Sequence, residues 1–155
     1  MRILSIDPSS NRIESSTTGI VLLDNARLVD YWVVPFGAQN FKTWFKEIGR
    51  TLEVDTVVVE KFEARDNDYS RDNSVVETIE AIELCYPDLI LQRNAGYQAD
   101  IPNDLLKALG LWTFDKSHHQ DVRAAARLGL FWAIRNDIEE VIKDIGRIAT
   151  EKMAG

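Results

Sequence analysis

One pattern constrains this chain more than any other: an apolar run of strand length that stops abruptly on an acid. Ile3, Leu4 and Ile6 make the first such run, ended by Asp7-Pro8, and Val57, Val58 and Val59 make the second, ended by Glu60. The β-branched interior of the second run is the pattern of a central strand covered on both faces, as parallel strands usually are. A carboxylate on the last residue of a buried strand stands at the carboxyl edge of the sheet, where open α/β sheets place their ligands. Taken singly, each acid has an ordinary explanation, since Asp-Pro-Ser-Ser is good turn chemistry and strands often end in acids. On neighbouring parallel strands the pair would bring two like charges together, which is costly unless a cation or a proton relieves it.

The rest of the chain supplies a frame for this pair. Residues 17–24 and 27–34 read as strands joined by a tight turn at Asn25-Ala26, with Pro35 as the stop. With residues 3–7 they predict an antiparallel meander. Phe41, Trp44, Phe45, Ile48 and Leu52 recur at helical spacing and predict an amphipathic helix around 39–52. A charged loop follows Glu60. Val75, Val76, Ile79, Ile82 and Cys85 predict a second helix, with Ser74 and Glu77 at capping-box spacing. Residues 88–92 read as a fifth strand. Within 93–117 the pattern is weak, apart from a short helix from Pro102 through Leu106 and Leu109 to Gly110. Residues 119–134 are helical again, with Ala124, Ala125, Ala126 and Gly129 offering a thin face for close packing. Ile138, Val141, Ile142, Ile145 and Ile148 predict a covering C-terminal helix at about 137–152. The order β-β-β-α-β-α-β-α-α predicts one mixed-sheet α/β domain over residues 1–155.

Composition narrows the partners. There is no apolar run near membrane-span length, so no membrane partner is expected. The chain opens directly on a strand and has one cysteine, Cys85, on a helical apolar stripe. Both features predict a cytoplasmic protein without a secretory leader or disulfide. The net charge of −7 opposes a phosphate-bearing partner. Any such contact must therefore come from a local basic patch or from bridging metal ions.

A third element completes a candidate site. His118 and Asp121 are three residues apart at the start of the Ala-rich helix, so they share a face. Asp121 also suits the first turn on helix-dipole grounds alone. Oxygen ligands with one imidazole suit Mg²⁺ or Mn²⁺ better than a structural zinc. Two such ions can activate a water and stabilise a departing phosphate oxygen.

These stretches resemble a known family. Residues 3–9, Ile-Leu-Ser-Ile-Asp-Pro-Ser, with Gly19 downstream, are similar to the "GIDPG…TG" opening of RuvC-type Holliday-junction resolvases. Val57-Val-Val-Glu60-Lys-Phe62 resembles that family's second acidic strand end, and His118-x-x-Asp121 its C-terminal motif. Residues 105–112 resemble RuvC-like proteins of bacteriophages. The resemblance implies a ribonuclease-H-like fold: a mixed five-stranded sheet flanked by helices. It also implies a homodimer, with the helix near 71–86 as interface, and metal-dependent cutting of four-way DNA junctions. By the same resemblance Asp7, Glu60, His118 and Asp121 form the catalytic and metal-binding set for two Mg²⁺, with Mn²⁺ able to substitute. Asp7 would bridge the ions, Glu60 would hold one, and Asp121 with His118 the other.

Two departures stand out. Ser9 replaces the family glycine and is expected to limit how closely the backbone approaches a phosphate. The acidic charge is the second. Candidate DNA contacts are Lys61, Arg65, Arg71, Arg93, Lys107, Lys116 and Arg123, although a solvated surface charge is the more common explanation of each taken alone. Phe62 and Tyr69 are placed to stack on bases, with a core-anchoring role for Phe62 as the alternative. A non-catalytic binding module on the same fold, or a related RNA-processing nuclease, stays open at this level.

Overall fold

The computed structural model describes residues 1–63, 72–114 and 119–154. The run ending on Asp7 forms strand β1 (Arg2–Asp7), which lies in the middle of the sheet. On one side it pairs antiparallel with β2 (Thr17–Asp24), which returns as β3 (Arg27–Pro35). The turn between them places Asn25 in the left-handed region at φ 54°, which asparagine tolerates better than most residues. On its other side β1 pairs parallel with β4 (Thr56–Glu60), and β4 pairs parallel with β5 (Ile90–Gln92). The spatial order is β3-β2-β1-β4-β5.

Both faces of this sheet are covered, which explains the unbroken apolar interiors of β1, β2 and β4. Helices α1 (Gly37–Glu47) and α2 (Val75–Cys85) pack on Leu4, Ile6, Ile20, Leu22, Val57 and Val59. The opposite face carries Ile3, Val21, Leu23 and Val58. It is covered by α5 (His119–Arg135), α6 (Glu139–Ala154) and the short α3 (Tyr97–Asp100) and α4 (Asn103–Ala108). Side chains alternate along a strand, so Asp7 shares the α5 face with Ile3 and Ser5, and Glu60 shares it with Val58. The alternation thus aims both strand-end acids to the same side.

Helix α5 seats on the sheet through its small residues. Ala125, Ala126 and Gly129 lie on its buried side. A Cβ on Gly129 would stand 3.0 Å from the Cβ of Ser5 on β1, so the backbones approach closely there. Around this contact Val122, Leu128 and Leu130 are fully buried, each contributing about 1.5–3 kcal/mol.

Three expectations need correction. The helix predicted over 39–52 ends at Glu47, because Ile48 leaves helical dihedrals (φ −124°) and residues Gly49–Thr51 tighten into a 3₁₀ turn. The capping box at Ser74 and Glu77 does not form. Ser74 Oγ instead accepts the Asn11 N–H at 2.9 Å, and Glu77 accepts the Asn11 side-chain amide at 2.9 Å. Helix α3 was not foreseen. Cys85 is half-buried against the α1/α2 core, and burial raises its thiol pKa. Among the described residues no helix is long and apolar enough to cross a membrane.

Candidate active site

The parallel register pairs Ile6 with Val59, so Asp7 and Glu60 occupy the next position on strands about 4.8 Å apart. Asp7 is only partly exposed, and its carboxyl is held well above the ordinary carboxylate range. Desolvation is the largest cause, followed by a hydrogen bond to Glu60 and then by the charges of Glu60 and Asp121. Like charges held this close on a partly desolvated edge are relieved by a proton or by a bound cation.

Asp121 reaches the edge because of Gly19. Gly19 is paired with Asp7 across β1 and β2, and the first turn of α5 lies directly over it. A Cβ on Gly19 would fall 2.3 Å from the Asp121 carbonyl oxygen and 2.9 Å from its Cβ. Only a residue without a side chain lets the helix start there. The Thr17 hydroxyl donates to Asp121 Oδ2, so β2 also orients the carboxylate. Among the described residues no three His, Cys, Asp or Glu groups converge as tightly as a shared ion requires. Asp121 is turned to Thr17 while Asp7 and Glu60 face each other. The donors are hard oxygens on partly desolvated carboxylates, which fits Mg²⁺ or Mn²⁺.

Sequence reasoning missed the groups behind these acids. Asn94 donates its side-chain amide to Glu60 Oε1 at 2.5 Å, and its carbonyl accepts the Tyr97 N–H at 3.0 Å. The Tyr97 ring lies 5.5 Å from the guanidinium of the buried Arg127 and 6.4 Å from the Phe131 ring. Burial raises the Tyr97 hydroxyl pKa, and the charges of Glu60 and Asp7 add to this, while Arg127 opposes it. Asn94 and Tyr97 sit where the sequence pattern was weakest, and no sequence signal marked them.

The loop after Asp7 resolves the departure at Ser9. Ser9 is 2% exposed, and its hydroxyl accepts the Gly37 N–H at 2.9 Å and the Thr18 hydroxyl at 2.8 Å. The side chain points into the fold, so it does not obstruct the edge. Ser10 bonds Asp72 and, at 3.2 Å, Ser74, tying this loop to the start of α2. Hydrogen bonds from Ser10 and Ser74 hold the Asp72 carboxyl down at about 2.

The cations separate into groups. Lys107 and Arg123 converge on one indole, with Lys107 Nζ 4.9 Å and the Arg123 guanidinium 3.7 Å from the Trp112 ring. Arg123 Nε also donates to the Trp112 carbonyl at 2.6 Å. Lys61 is exposed beside Glu60. Arg93 is engaged by Glu63 at 2.6 Å, which disfavours it as a phosphate contact. Phe62 packs partly against the α1/α2 core, in line with its anchoring role. His118, Arg65, Arg71, Lys116 and Tyr69 lie outside the described residues.

No family model matches the chain, and no curated protein matches it by sequence. Solved structures do match. RuvC of T. thermophilus in complex with a Holliday junction substrate superposes with a TM-score of 0.67 at 15% identity, over 90% of this chain and 97% of that one. A second Thermus thermophilus RuvC structure gives 0.63 at 15% identity, over 89% and 96%. The mixed five-stranded sheet with its flanking helices is therefore a ribonuclease-H-like sheet of the RuvC type.

Proposed function

We propose that this chain, as one nuclease domain over residues 1–155, is a metal-dependent, structure-selective endonuclease that cuts four-way and related branched DNA. The observation that carries the reading is geometric: Asp7 and Glu60 end adjacent parallel strands, and the first turn of α5, which bears Asp121, packs over Gly19, the β2 partner of Asp7. A purely structural role does not account for Asp7 and Glu60 side by side, because their mutual repulsion opposes folding.

Asp7, Glu60 and Asp121, with His118, are the residues that would hold two Mg²⁺, and Mn²⁺ is expected to substitute. Bound there, such ions would lower the pKa of a water, making hydroxide available to attack the phosphodiester, and would offset charge on the leaving oxygen. The chain's own groups prepare the edge. Gly19 lets the first turn of α5, which carries Asp121, pack over the β2 residue paired with Asp7. Thr17 and Asn94 orient Asp121 and Glu60 through hydrogen bonds. The attacking group is water, so no serine or cysteine nucleophile is needed.

Local cations answer the acidic net charge. Lys107 and Arg123, gathered on Trp112, and Lys61 beside Glu60 are proposed to bind the DNA backbone, with Phe62, Arg65, Arg71 and Lys116 as further contacts. Homodimerisation through the outer face of α2 is part of the proposal, supported by Leu84 at 74% exposure there. A bacteriophage-type resolvase acting in the host cytoplasm fits the resemblance of the sequence. The test is a labelled four-way junction beside a matched linear duplex and a matched RNA duplex, each with Mg²⁺, Mn²⁺ or chelator. Paired, metal-dependent nicks on the junction, absent in Asp7→Asn, are expected. Preferential cutting of RNA, or no cutting at all, would overturn the reading.

A further inference from the structure

One oxygen of Glu60 is already engaged. Its Oε1 accepts the Asn94 side-chain amide at 2.5 Å, a bond to a carboxylate and so of the stronger, charge-assisted kind. The chain builds this contact firmly. Glu60 pairs with Gln92 across β4 and β5, and the Lys61 N–H donates to the Gln92 carbonyl at 2.9 Å, so the register holds to the ends of both strands. Asn94, two residues further on, opens a tight turn in which its carbonyl accepts the Tyr97 N–H at 3.0 Å. Gly96, at φ 86° and ψ −3°, takes the third place, where a type II turn requires positive φ. Beyond it the Tyr97 ring lies edge-on to Phe131, with centroids 6.4 Å apart, and 5.5 Å from the guanidinium of buried Arg127. The Asn94 amide is exposed, yet the turn that carries it is anchored at both ends.

We infer that Asn94 determines which ion the acid edge prefers: by occupying Oε1 it makes Glu60 a one-oxygen ligand, favouring Mg²⁺ and Mn²⁺ over Ca²⁺. The inference rests on the metal-dependent reading of the edge and adds a selectivity residue to it. Ca²⁺ is the larger ion, has a flexible coordination shell and readily takes both oxygens of one carboxylate. Mg²⁺ demands near-ideal octahedral geometry, which the narrow bite of a two-oxygen carboxylate distorts. A carboxylate with one oxygen committed to an amide donor keeps a single oriented oxygen for the smaller ion. It withholds the pair that the larger ion would use. The turn itself does not need this contact, because its backbone bond and the packing of Tyr97 already close it. What the Asn94 amide adds is the hold on Glu60.

The experiment measures Ca²⁺ and Mn²⁺ binding to the full chain by titration calorimetry, without DNA, for the wild type and Asn94→Ala. Freeing Oε1 is expected to tighten Ca²⁺ binding relative to Mn²⁺ by about tenfold, the scale on which groups that orient a ligand alter metal affinity. Glu60→Gln supplies the control, since its side chain has one oxygen to offer whether or not Asn94 is present. In that background Asn94→Ala should leave the ratio of the two affinities unchanged. A merely structural Asn94 would weaken both ions together or neither. Either of those results, or a shift in ratio that survives Glu60→Gln, overturns the inference. A shifted ratio in a protein that nicks no junction with Mg²⁺ upholds it and refutes only the nuclease reading. Metal-dependent nicking with an unshifted ratio does the reverse.

Discussion

Replacing Gly19 with alanine would put a methyl carbon 2.3 Å from the Asp121 carbonyl oxygen and 2.4 Å from its carbonyl carbon. Both are backbone atoms, so no side-chain rotation relieves the contact. Ordinary van der Waals separation begins near 3.4 Å, so the first turn of α5 must lift by about 1 Å. Overpacking of this kind costs about 1–3 kcal/mol. In a chain of this length that is a fall in Tm of roughly 2–12 °C. The effect on chemistry should be larger, since a displacement of about 1 Å at a reacting centre can cost on the order of 100-fold in rate. Gly129→Ala is the control on the same helix. Its methyl would meet side-chain atoms of Ser5, from 3.0 Å, and of Ile3, at 3.6 Å, with no backbone atom among them, and helix propensity would return up to about 1 kcal/mol. Melting curves and single-turnover junction nicking measure both effects. The account expects Gly19→Ala to lose most nicking and Gly129→Ala to keep it. Wild-type nicking by Gly19→Ala would refute the argument that this contact places Asp121.

Other perturbations probe separate links. Asp7 titrates above its ordinary range, so its contribution favours the fold at low pH and is lost as pH rises through the raised value. In chelator, the Tm of the wild type should therefore fall relative to Asp7→Asn as pH rises above about 4, and Mg²⁺ should reverse the difference. Parallel melting curves of the two proteins would rule this out. Ser9→Gly strands the buried Gly37 N–H and the Thr18 hydroxyl, so urea denaturation should show a loss of about 1–3 kcal/mol with nicking retained. Lys107→Ala and Arg123→Ala should each reduce the slope of log binding constant against log salt by about 0.9 if each contacts one duplex phosphate. Unchanged slopes would remove the Trp112 cluster from the DNA surface.

Much of the fold was legible because its signals are local. The spans of β2 and α2, the Asn25 turn and the meander followed from periodicity and turn chemistry alone. The parallel pairing of β1 with β4 followed from the apolar run that ends on Glu60. Where the reading failed, partners distant in sequence had intervened. Ser74 and Glu77 have capping-box spacing, but Asn11 competes successfully for both side chains. Asn94 and Tyr97 carry no periodic signal, and their relation to Glu60 exists only once β5 lies beside β4. Asp7 and Glu60 were legible as a pair because a strand end fixes both position and face. The reason Asp121 could join them lies in the missing side chain of Gly19, which sequence marks only as part of a motif.

The most direct test of the central claim is anomalous diffraction from crystals soaked in Mn²⁺. The account predicts two peaks at the carboxyl edge, Asp7 shared between them, with Glu60 holding one and Asp121 the other, and both lost in Asp7→Asn. Strong Mn²⁺ density elsewhere, with none at Asp7 in a protein that still cuts junctions, would contradict it.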